Sequence, residues 1–173
     1  MFLNLTDAFT KEGHTSSTQV TYESDVFSDG LISYEILSKD PIDLKISNLS
    51  EGRAHITGRI HMTFQMTCSR CLTEVPYELT TEIDRDVTGP EILTEEEAED
   101  QSFVSEYQLN VEDLINNEII MSLPMKVLCK PDCKGLCKVC GQNLNLGECG
   151  CDTFVPDPRM VAIKDIFNAR KEV

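Results

Sequence analysis

Apolar and polar residues alternate along much of the chain, and the longest alternation runs from Arg53 to Cys68. A period of two places successive side chains on opposite faces of a β-strand, so this segment predicts a long strand with one buried face. Gly58 falls on that face and predicts a bend or a bulge. The positions of the buried face are Ala54, Ile56, Gly58, Ile60, Met62, Phe64, Met66 and Cys68.

A second alternation follows Cys71 and predicts a strand antiparallel to the first. The segment Cys68-Ser69-Arg70-Cys71 then forms the tip of a β-hairpin. Shorter alternating runs predict further strands, and Asp29-Gly30 is typical of a turn between two of them. These shorter runs centre on Leu3, Tyr22, Tyr34, Leu44 and Gln108.

A helix is predicted over residues 111–123 and is expected to cover one face of the sheet. Asn110 is a favourable N-cap, Asp113 lies in the first turn, and Pro124 ends the helix. A second helix is predicted near the C-terminus, with Asp157 as its cap and Pro158 at its first position.

The segment from Thr94 to Asp100 is an acidic run, Thr94-Glu95-Glu96-Glu97-Ala98-Glu99-Asp100. A block of like charge is usually solvated, so a loop or a loose helical turn is the first interpretation. A docking tail for a basic partner is the alternative.

These elements together predict an α+β protein. Its body, residues 1–125, would be an antiparallel β-sheet or open barrel with one packed helix at 111–123. Residues 126–173 would form a small C-terminal cysteine-rich ribbon followed by the terminal helix. The first residues lack the basic region and apolar run of a signal peptide, and a cytoplasmic location is expected.

The chain has eight cysteines, and six of them lie in the segment from Cys129 to Cys151. Cytosolic thiols are kept reduced, so a cysteine-rich cytosolic chain more often binds metal than forms disulfides. Zinc prefers four ligands in a tetrahedron, and pairs with Cys-x-x-Cys spacing suit it. The first predicted zinc site is therefore the compact set of Cys137, Cys140, Cys149 and Cys151.

The four remaining cysteines also form two close pairs, one at the hairpin tip and one after Pro124. They suggest a second zinc site that closes a long loop of the chain, as a covalent cross-link would. This site would consist of Cys68, Cys71, Cys129 and Cys133, which gives two zinc ions per chain.

Charge is unevenly distributed in the chain, whose net charge is −15. Residues 1–125 contain 24 acidic and 7 basic residues, a balance of −17, whereas residues 126–173 contain 6 acidic and 8 basic residues, a balance of +2. The acidic body argues against broad contact with a phosphate backbone and favours a basic protein partner or simply solubility. The candidate partner-binding residues with local positive charge are Lys126, Lys130, Lys134 and Lys138. The alternative interpretation is that these lysines mainly offset the negative charge of the metal-bound thiolates.

The sequence offers no positive case for an enzyme. A catalytic cysteine needs a base nearby, and the three histidines, His14, His55 and His61, give little support for one. His55 and His61 lie on the polar face of the long strand and are expected to be solvated. No glycine-rich phosphate loop is visible.

The cysteine pattern and its flanking motifs resemble the bacterial YceD family. The matching residues are Cys68-Ser69-Arg70-Cys71-Leu72, Glu118-Ile119-Ile120, Leu123-Pro124, Cys129 through Cys133-Lys134-Gly135-Leu136-Cys137, Cys140-Gly141, Asn143-Leu144-Asn145, Cys149, Cys151 and Asp157-Pro158-Arg159. The resemblance implies a role in making or accumulating large-subunit 23S ribosomal RNA, with relatives in plant organelles. Some members of that family lack the distal cysteine ribbon, which suggests that the ribbon is not indispensable to the shared role.

The leading hypothesis is a non-enzymatic, zinc-binding factor in ribosome biogenesis that binds rRNA or a basic large-subunit ribosomal protein, with no small-molecule substrate and no membrane. An alternative is a redox sensor whose zinc-binding thiols oxidise and change its binding surface. A third possibility is a zinc-ribbon nucleic-acid module acting alone, which the acidic body disfavours.

Overall fold

A computed structural model describes residues 1–151 of the chain. The helix predicted from Asp157 lies outside the described residues. Within them, the chain divides into two compact units. The first comprises Met1–Thr67 and Glu74–Val127, and the second comprises Cys68–Thr73 and the residues from Leu128 onward. The predicted boundary between a 1–125 body and a 126–173 segment stays a prediction.

The first unit contains nine strands and three helices in the described residues. The strands are β1 Phe2–Asn4, β2 Thr15–Val20, β3 Val26–Ser28, β4 Ser33–Lys39, β5 Ile42–Ser50, β6 Arg53–Thr67, β7 Glu74–Thr88, β8 Val104–Ser105 and β9 Gln108–Asn110. The helices are α1 Thr6–Thr10, α2 Glu95–Asp100 and α3 Val111–Ser122.

Strand β6 is the centre of a six-stranded antiparallel sheet. It pairs with β7 along its whole length, from Arg53 opposite Thr88 to Thr67 opposite Glu74. Its other edge is shared, because its first half pairs with β5 and its second half with β4. The predicted long hairpin is therefore confirmed, and β2 and β3 extend the sheet beyond β5 and β4.

The hydrophobic core lies on the face of β6 that the alternation predicts. Ile56, Ile60, Met62 and Phe64 are fully buried, whereas His55, Thr57 and the other intervening residues are partly or fully exposed. Phe27 of β3 packs edge-on against Phe64, with ring centroids 5.9 Å apart. Since each large buried side chain contributes roughly 1.5–3 kcal/mol, this face dominates the stability of the unit.

Gly58 was predicted to mark a bend or a bulge, and the structure shows no bulge there but a close contact with β5. The β6–β7 register continues without interruption through Gly58 opposite Ile83. A Cβ at this position would lie 2.9 Å from Cδ2 of Leu44, which is fully buried in β5. A side chain at this position would therefore require the buried Leu44 side chain to shift, and glycine avoids this.

Helix α3 begins at the predicted place, since the Asn110 side chain accepts a hydrogen bond from the Glu112 backbone N–H. It packs against β7, where Arg85 Nε donates to Glu118 Oε1 and Ser122 Oγ donates to Thr81 Oγ1. The short helix α1 is an element that the sequence pattern did not predict. It begins after Leu5 and buries Ala8 and Phe9.

The acidic run forms the helical turn α2. Thr94 and Glu97 make a reciprocal capping box, which fixes the start of the helix.

A second, three-stranded sheet joins β1, β9 and β8 in that order. The α+β class with antiparallel sheets and few helices is thus confirmed. Among residues 1–151, no helix has the length and apolar character needed to cross a membrane.

Candidate metal centre

The second unit contains two clusters of four cysteines. We call Cys68, Cys71, Cys129 and Cys133 the hairpin site, because its first pair lies between β6 and β7. We call Cys137, Cys140, Cys149 and Cys151 the ribbon site. Within each cluster all four Sγ atoms lie within 4.8 Å of one another. The structure thus brings together the same two sets of four that the spacing suggested.

The hairpin site is the more enclosed of the two. Cys68, Cys71 and Cys133 are buried, and Cys129 is half-buried. Cys68 Sγ lies 3.8 Å from Cys133 Sγ, and Cys71 Sγ lies 3.5 Å from Cys129 Sγ. In the ribbon site only Cys137 is buried, while Cys140 is exposed and Cys149 and Cys151 are half-buried.

Both Cys-x-x-Cys pairs adopt the same turn. The Leu72 backbone N–H donates to the Cys68 carbonyl at 3.0 Å, and the Gly141 N–H donates to the Cys137 carbonyl at 2.9 Å. The residue after each second cysteine is left-handed, with φ of 58° at Leu72 and 75° at Gly141. Glycine adopts this conformation without strain, but leucine does not.

Backbone N–H groups of these turns point at the sulfur atoms. Burial raises the pKa of the Cys68 thiol, but hydrogen bonds from the Arg70, Cys71 and Cys129 backbones outweigh burial and lower this pKa to about 6. Hydrogen bonds from the Cys140 and Val139 backbones lower the pKa of Cys137 to about 6. The hydrogen bond with the Thr73 side chain also lowers the pKa of Cys71. Each site therefore has at least one cysteine that is readily a thiolate, the form that binds metal.

A single thiolate makes ionisation of its neighbours harder. Burial and the adjacent Cys71 raise the pKa of Cys129 to about 12. The neighbouring Cys140 and Cys149 likewise raise the pKa of Cys151 to about 12. Four thiolates at this spacing require a cation between them, because like charges so close together repel.

The donor set fits a divalent metal ion with a preference for sulfur. Four thiolates in a tetrahedron are the usual ligands of a structural zinc site. With a Zn–S bond of about 2.3 Å, the edge of that tetrahedron is about 3.8 Å, close to the sulfur separations of 3.5 and 3.8 Å in the hairpin site. Both clusters are thus compatible with zinc.

Two asparagines connect the loop of the ribbon site to the hairpin site. Asn145 Nδ2 donates to Cys133 Sγ at 3.3 Å. Asn143 Nδ2 donates to Thr73 Oγ1 at 3.2 Å, and this hydroxyl lies 3.3 Å from Cys71 Sγ. The sequence places these asparagines in the motif Asn143-Leu144-Asn145, between the two pairs of the ribbon site, and that motif is part of the family resemblance. It gives no sign of their contact with the hairpin site.

The four lysines predicted to bind a partner have exposed side chains and are not among the cysteine clusters. All four candidate lysines are exposed, Lys126 in the first unit and Lys130, Lys134 and Lys138 in the second. In the described part of the chain none of them forms a salt bridge. Their role in binding a partner stays a prediction.

The two histidines of β6, His55 and His61, form hydrogen bonds with side chains of β7. His55 Nδ1 lies 2.6 Å from Asp86 Oδ1, and His61 Nδ1 lies 2.9 Å from Thr80 Oγ1. Neither histidine belongs to a cysteine cluster. They therefore contribute to cross-strand contacts of β6 and β7.

Comparison with known proteins gives one family. Residues 56–167 match the family model described as "Large ribosomal RNA subunit accumulation protein YceD". This range is about two thirds of the chain and includes all eight cysteines.

The chain is also similar to mycobacterial proteins whose names give no function. An uncharacterised protein of Mycobacterium tuberculosis and one of Mycobacterium bovis are each 27% identical over 154 residues, which is 85% of this chain and 73% of the relative. A protein of Mycobacterium leprae, also uncharacterised, is 28% identical over 107 residues, which is 60% of this chain and 48% of the relative. No solved structure gives a significant match.

Proposed function

The chain belongs to the YceD family, and we propose that it is a zinc-stabilised, non-enzymatic factor of large-subunit ribosome biogenesis. The family's description implies a role in the accumulation of large-subunit ribosomal RNA. In this proposal the protein supports that accumulation by binding, in the cytoplasm, a component of the assembling large subunit. The two cysteine clusters are the observation that carries the zinc part of the proposal.

The ligand count supports a structural role for both ions. A catalytic zinc site keeps one position of the metal free for water or substrate, whereas a structural site fills all four with protein ligands. The hairpin and ribbon sites each supply four thiolates. Zinc bound in this way would supply folding free energy to a segment that has few apolar residues.

The charge of the two units supports a basic protein as the partner. The first unit contains 24 acidic and 7 basic residues, a balance of −17. The described part of the second unit contains four basic residues, Arg70 and three lysines, and two acidic residues, a balance of +2. Two zinc ions each bound by four thiolates contribute about −4 in total. With zinc bound, residues 68–73 and 128–151 of the second unit therefore have no net positive charge with which to bind a phosphate backbone.

A cavity in the first unit is consistent with the same partner. Its volume is about 610 Å³, and Phe9, Ile92 and Tyr107 form apolar parts of its wall. Carboxylate side chains also line it, those of Glu12, Glu51 and Glu91. An apolar wall beside carboxylates complements a lysine or arginine side chain, which has an aliphatic stem and a cationic end.

The proposed function is tested by affinity capture from growing cells, before and after nuclease treatment. A basic large-subunit ribosomal protein should be recovered with the tagged chain, and nuclease should not release it. Charge-reversal of Lys130, Lys134 and Lys138 tests the other candidate, direct contact with rRNA. Loss of captured rRNA in that variant, together with a steep dependence on salt, would contradict a protein partner.

The cellular role requires a separate measurement. A strain without the gene should have a lowered ratio of 23S to 16S rRNA and fewer mature large subunits in a sedimentation profile. An unchanged ratio and profile would contradict the role in ribosome biogenesis, whatever the metal content of the protein.

A further inference from the structure

The Asn145 side chain has a single possible orientation in this structure. Its Oδ1 accepts a hydrogen bond from the Lys134 backbone N–H at 2.9 Å. A backbone N–H can only donate, so the oxygen must face Lys134 and the amide nitrogen must face the other way. That nitrogen, Nδ2, lies 3.3 Å from Cys133 Sγ and 2.8 Å from Asn143 Oδ1. Asn145 therefore donates an N–H to a sulfur of the hairpin site.

The loop that holds Asn145 belongs to the ribbon site. Residues 141–148 connect Cys140 to Cys149, so both ends of this loop are ligands of that site. At its start, the Cys137 N–H donates to the Gln142 carbonyl at 2.8 Å, and the Leu144 N–H donates to the Gly135 carbonyl at 2.9 Å. The far half, from Leu146 to Glu148, is exposed. A metal ion in the ribbon site would fix both ends of the loop.

The loop reaches the hairpin site at two of its four sulfurs. Asn145 contacts Cys133 directly, and Asn143 contacts Thr73, whose hydroxyl lies beside Cys71. Asn143 Oδ1 also accepts from both the backbone N–H and the side chain of Asn145. The two asparagines therefore form one hydrogen-bonded group, and a shift of the loop would displace both contacts together.

We propose that Asn145 is a positioning residue that couples the two metal sites: metal in the ribbon site orders the loop, and the ordered loop holds Cys133 as a ligand of the hairpin site. This inference rests on the zinc part of the proposed function. An N–H donated to a metal-bound thiolate stabilises its charge and its orientation. By thermodynamic linkage, metal in the hairpin site must then also favour metal in the ribbon site.

The test uses Asn145→Asp in the full-length chain. Aspartate keeps the oxygen that accepts from Lys134 but cannot donate, so it removes the hydrogen bonds to Cys133 and to Asn143 Oδ1 with little change of shape. Removal of such a contact typically lowers metal affinity 10- to 100-fold. We therefore expect the hairpin site of Asn145→Asp to bind zinc at least about tenfold more weakly in competition with a chromophoric chelator.

Three further variants define the comparison. Asn145→Ala removes the donor without adding a charge and should show a similar loss. Gln142→Ala, in the same loop, keeps the backbone carbonyl that Cys137 contacts and should bind within about twofold of the wild type. Double replacement of Cys149 and Cys151 by serine disables the ribbon site. In that background the loop is not fixed, so Asn145→Asp should change the hairpin-site affinity by less than about threefold, because coupled sites are not additive.

Cobalt titration checks that each variant still forms the hairpin site. Saturating Co²⁺ should give the absorption of two tetrahedral thiolate sites per chain where the ribbon site is intact, and of one where Cys149 and Cys151 are replaced. Wild-type affinity in Asn145→Asp and Asn145→Ala would overturn the inference, as would an equal loss with and without a functional ribbon site. These results would leave the proposal of two zinc ions intact. A wild-type chain that binds fewer than two metal ions would overturn that proposal and the coupling between the sites.

Discussion

Cys71 and Cys129 are separated by 58 positions in the sequence, and their Sγ atoms lie 3.5 Å apart. This contact closes a loop that contains β7 and α3 between its two ends. A metal ion bound by both residues would act as a cross-link, which lowers the conformational entropy of the unfolded chain and so stabilises the folded state. A metal ion in the hairpin site would therefore join two segments of the chain that are far apart in the sequence.

The ribbon site should lose its metal before the hairpin site does. A chelator must reach the ligands of a site, and the ribbon site exposes Cys140, whereas three of the four cysteines of the hairpin site are buried. Excess chelator added to the zinc-loaded protein should therefore release zinc in two phases. Stopped-flow absorbance of a chromophoric chelator measures both phases.

Single-site variants assign the two phases of zinc release. Cys149→Ser should remove the fast phase, and Cys71→Ser should remove the slow one. The reverse assignment would show that exposure does not govern release. Mild peroxide in place of the chelator tests the redox alternative, which requires prompt release coupled to a change in partner binding.

The two left-handed residues should respond to substitution in opposite directions. Gly141→Ala places a Cβ at φ 75°, where an L-residue is strained by roughly 1–2 kcal/mol, and should weaken the ribbon site. Leu72→Gly relieves such strain at φ 58° and should strengthen the hairpin site, because the exposed Leu72 side chain contributes little burial. Zinc competition measures both changes.

Each of these variants is a control for the other. Gly141→Ala should leave the hairpin-site affinity within about threefold, since coupling through the loop transmits only part of a local strain. A loss of affinity in Leu72→Gly would show that the left-handed turn is not a source of strain in the hairpin site.

In the ion pair between Arg85 and Glu118, removal of the arginine should lower the free energy of unfolding more than neutralisation of the glutamate does. The Glu118 side chain is 8% exposed and that of Arg85 is 36% exposed. Arg85→Ala leaves a buried carboxylate without its partner and should cost about 2 kcal/mol. Glu118→Gln keeps an oxygen that accepts from Arg85 and should cost less than about 1 kcal/mol. Urea unfolding followed by circular dichroism gives both free energies of unfolding.

A surface ion pair provides the matched control for that comparison. Lys11 and Asp7 are 62% and 52% exposed, so Lys11→Ala should change the free energy of unfolding by less than about 0.5 kcal/mol. Equal losses in Arg85→Ala and Glu118→Gln would show that burial of the carboxylate does not determine the cost.

Much of the first unit could be predicted from local sequence. The alternation from Arg53 to Cys68 identified β6 and its buried face, and Asn110 and Pro124 bracketed α3, because periodicity and capping act over short distances. Helix α1 was missed, since five residues give too short a pattern to show helical periodicity. The predicted bulge at Gly58 is absent, and the close approach of Leu44 could not be predicted because it is a tertiary contact.

The candidate site shows the same division between local and tertiary information. Spacing identified four cysteine pairs, and the division into two sets followed from the compactness of the ribbon. The hydrogen bonds of Asn143 and Asn145 could not be predicted, because they connect residues across the folded unit. The left-handed conformation of Leu72 could not be predicted either, because it is imposed by the turn around Cys68 and Cys71 and not by the leucine itself.

The metal content of the purified protein shows whether both cysteine clusters bind zinc. Native mass spectrometry of the full-length chain, with elemental analysis of the same sample, should give two zinc ions per chain. Cys68→Ser with Cys71→Ser should give one, Cys149→Ser with Cys151→Ser should give one, and Ser69→Ala should still give two. A wild-type protein with one zinc ion, unchanged by the replacement of Cys68 and Cys71, would show that the hairpin site does not bind zinc.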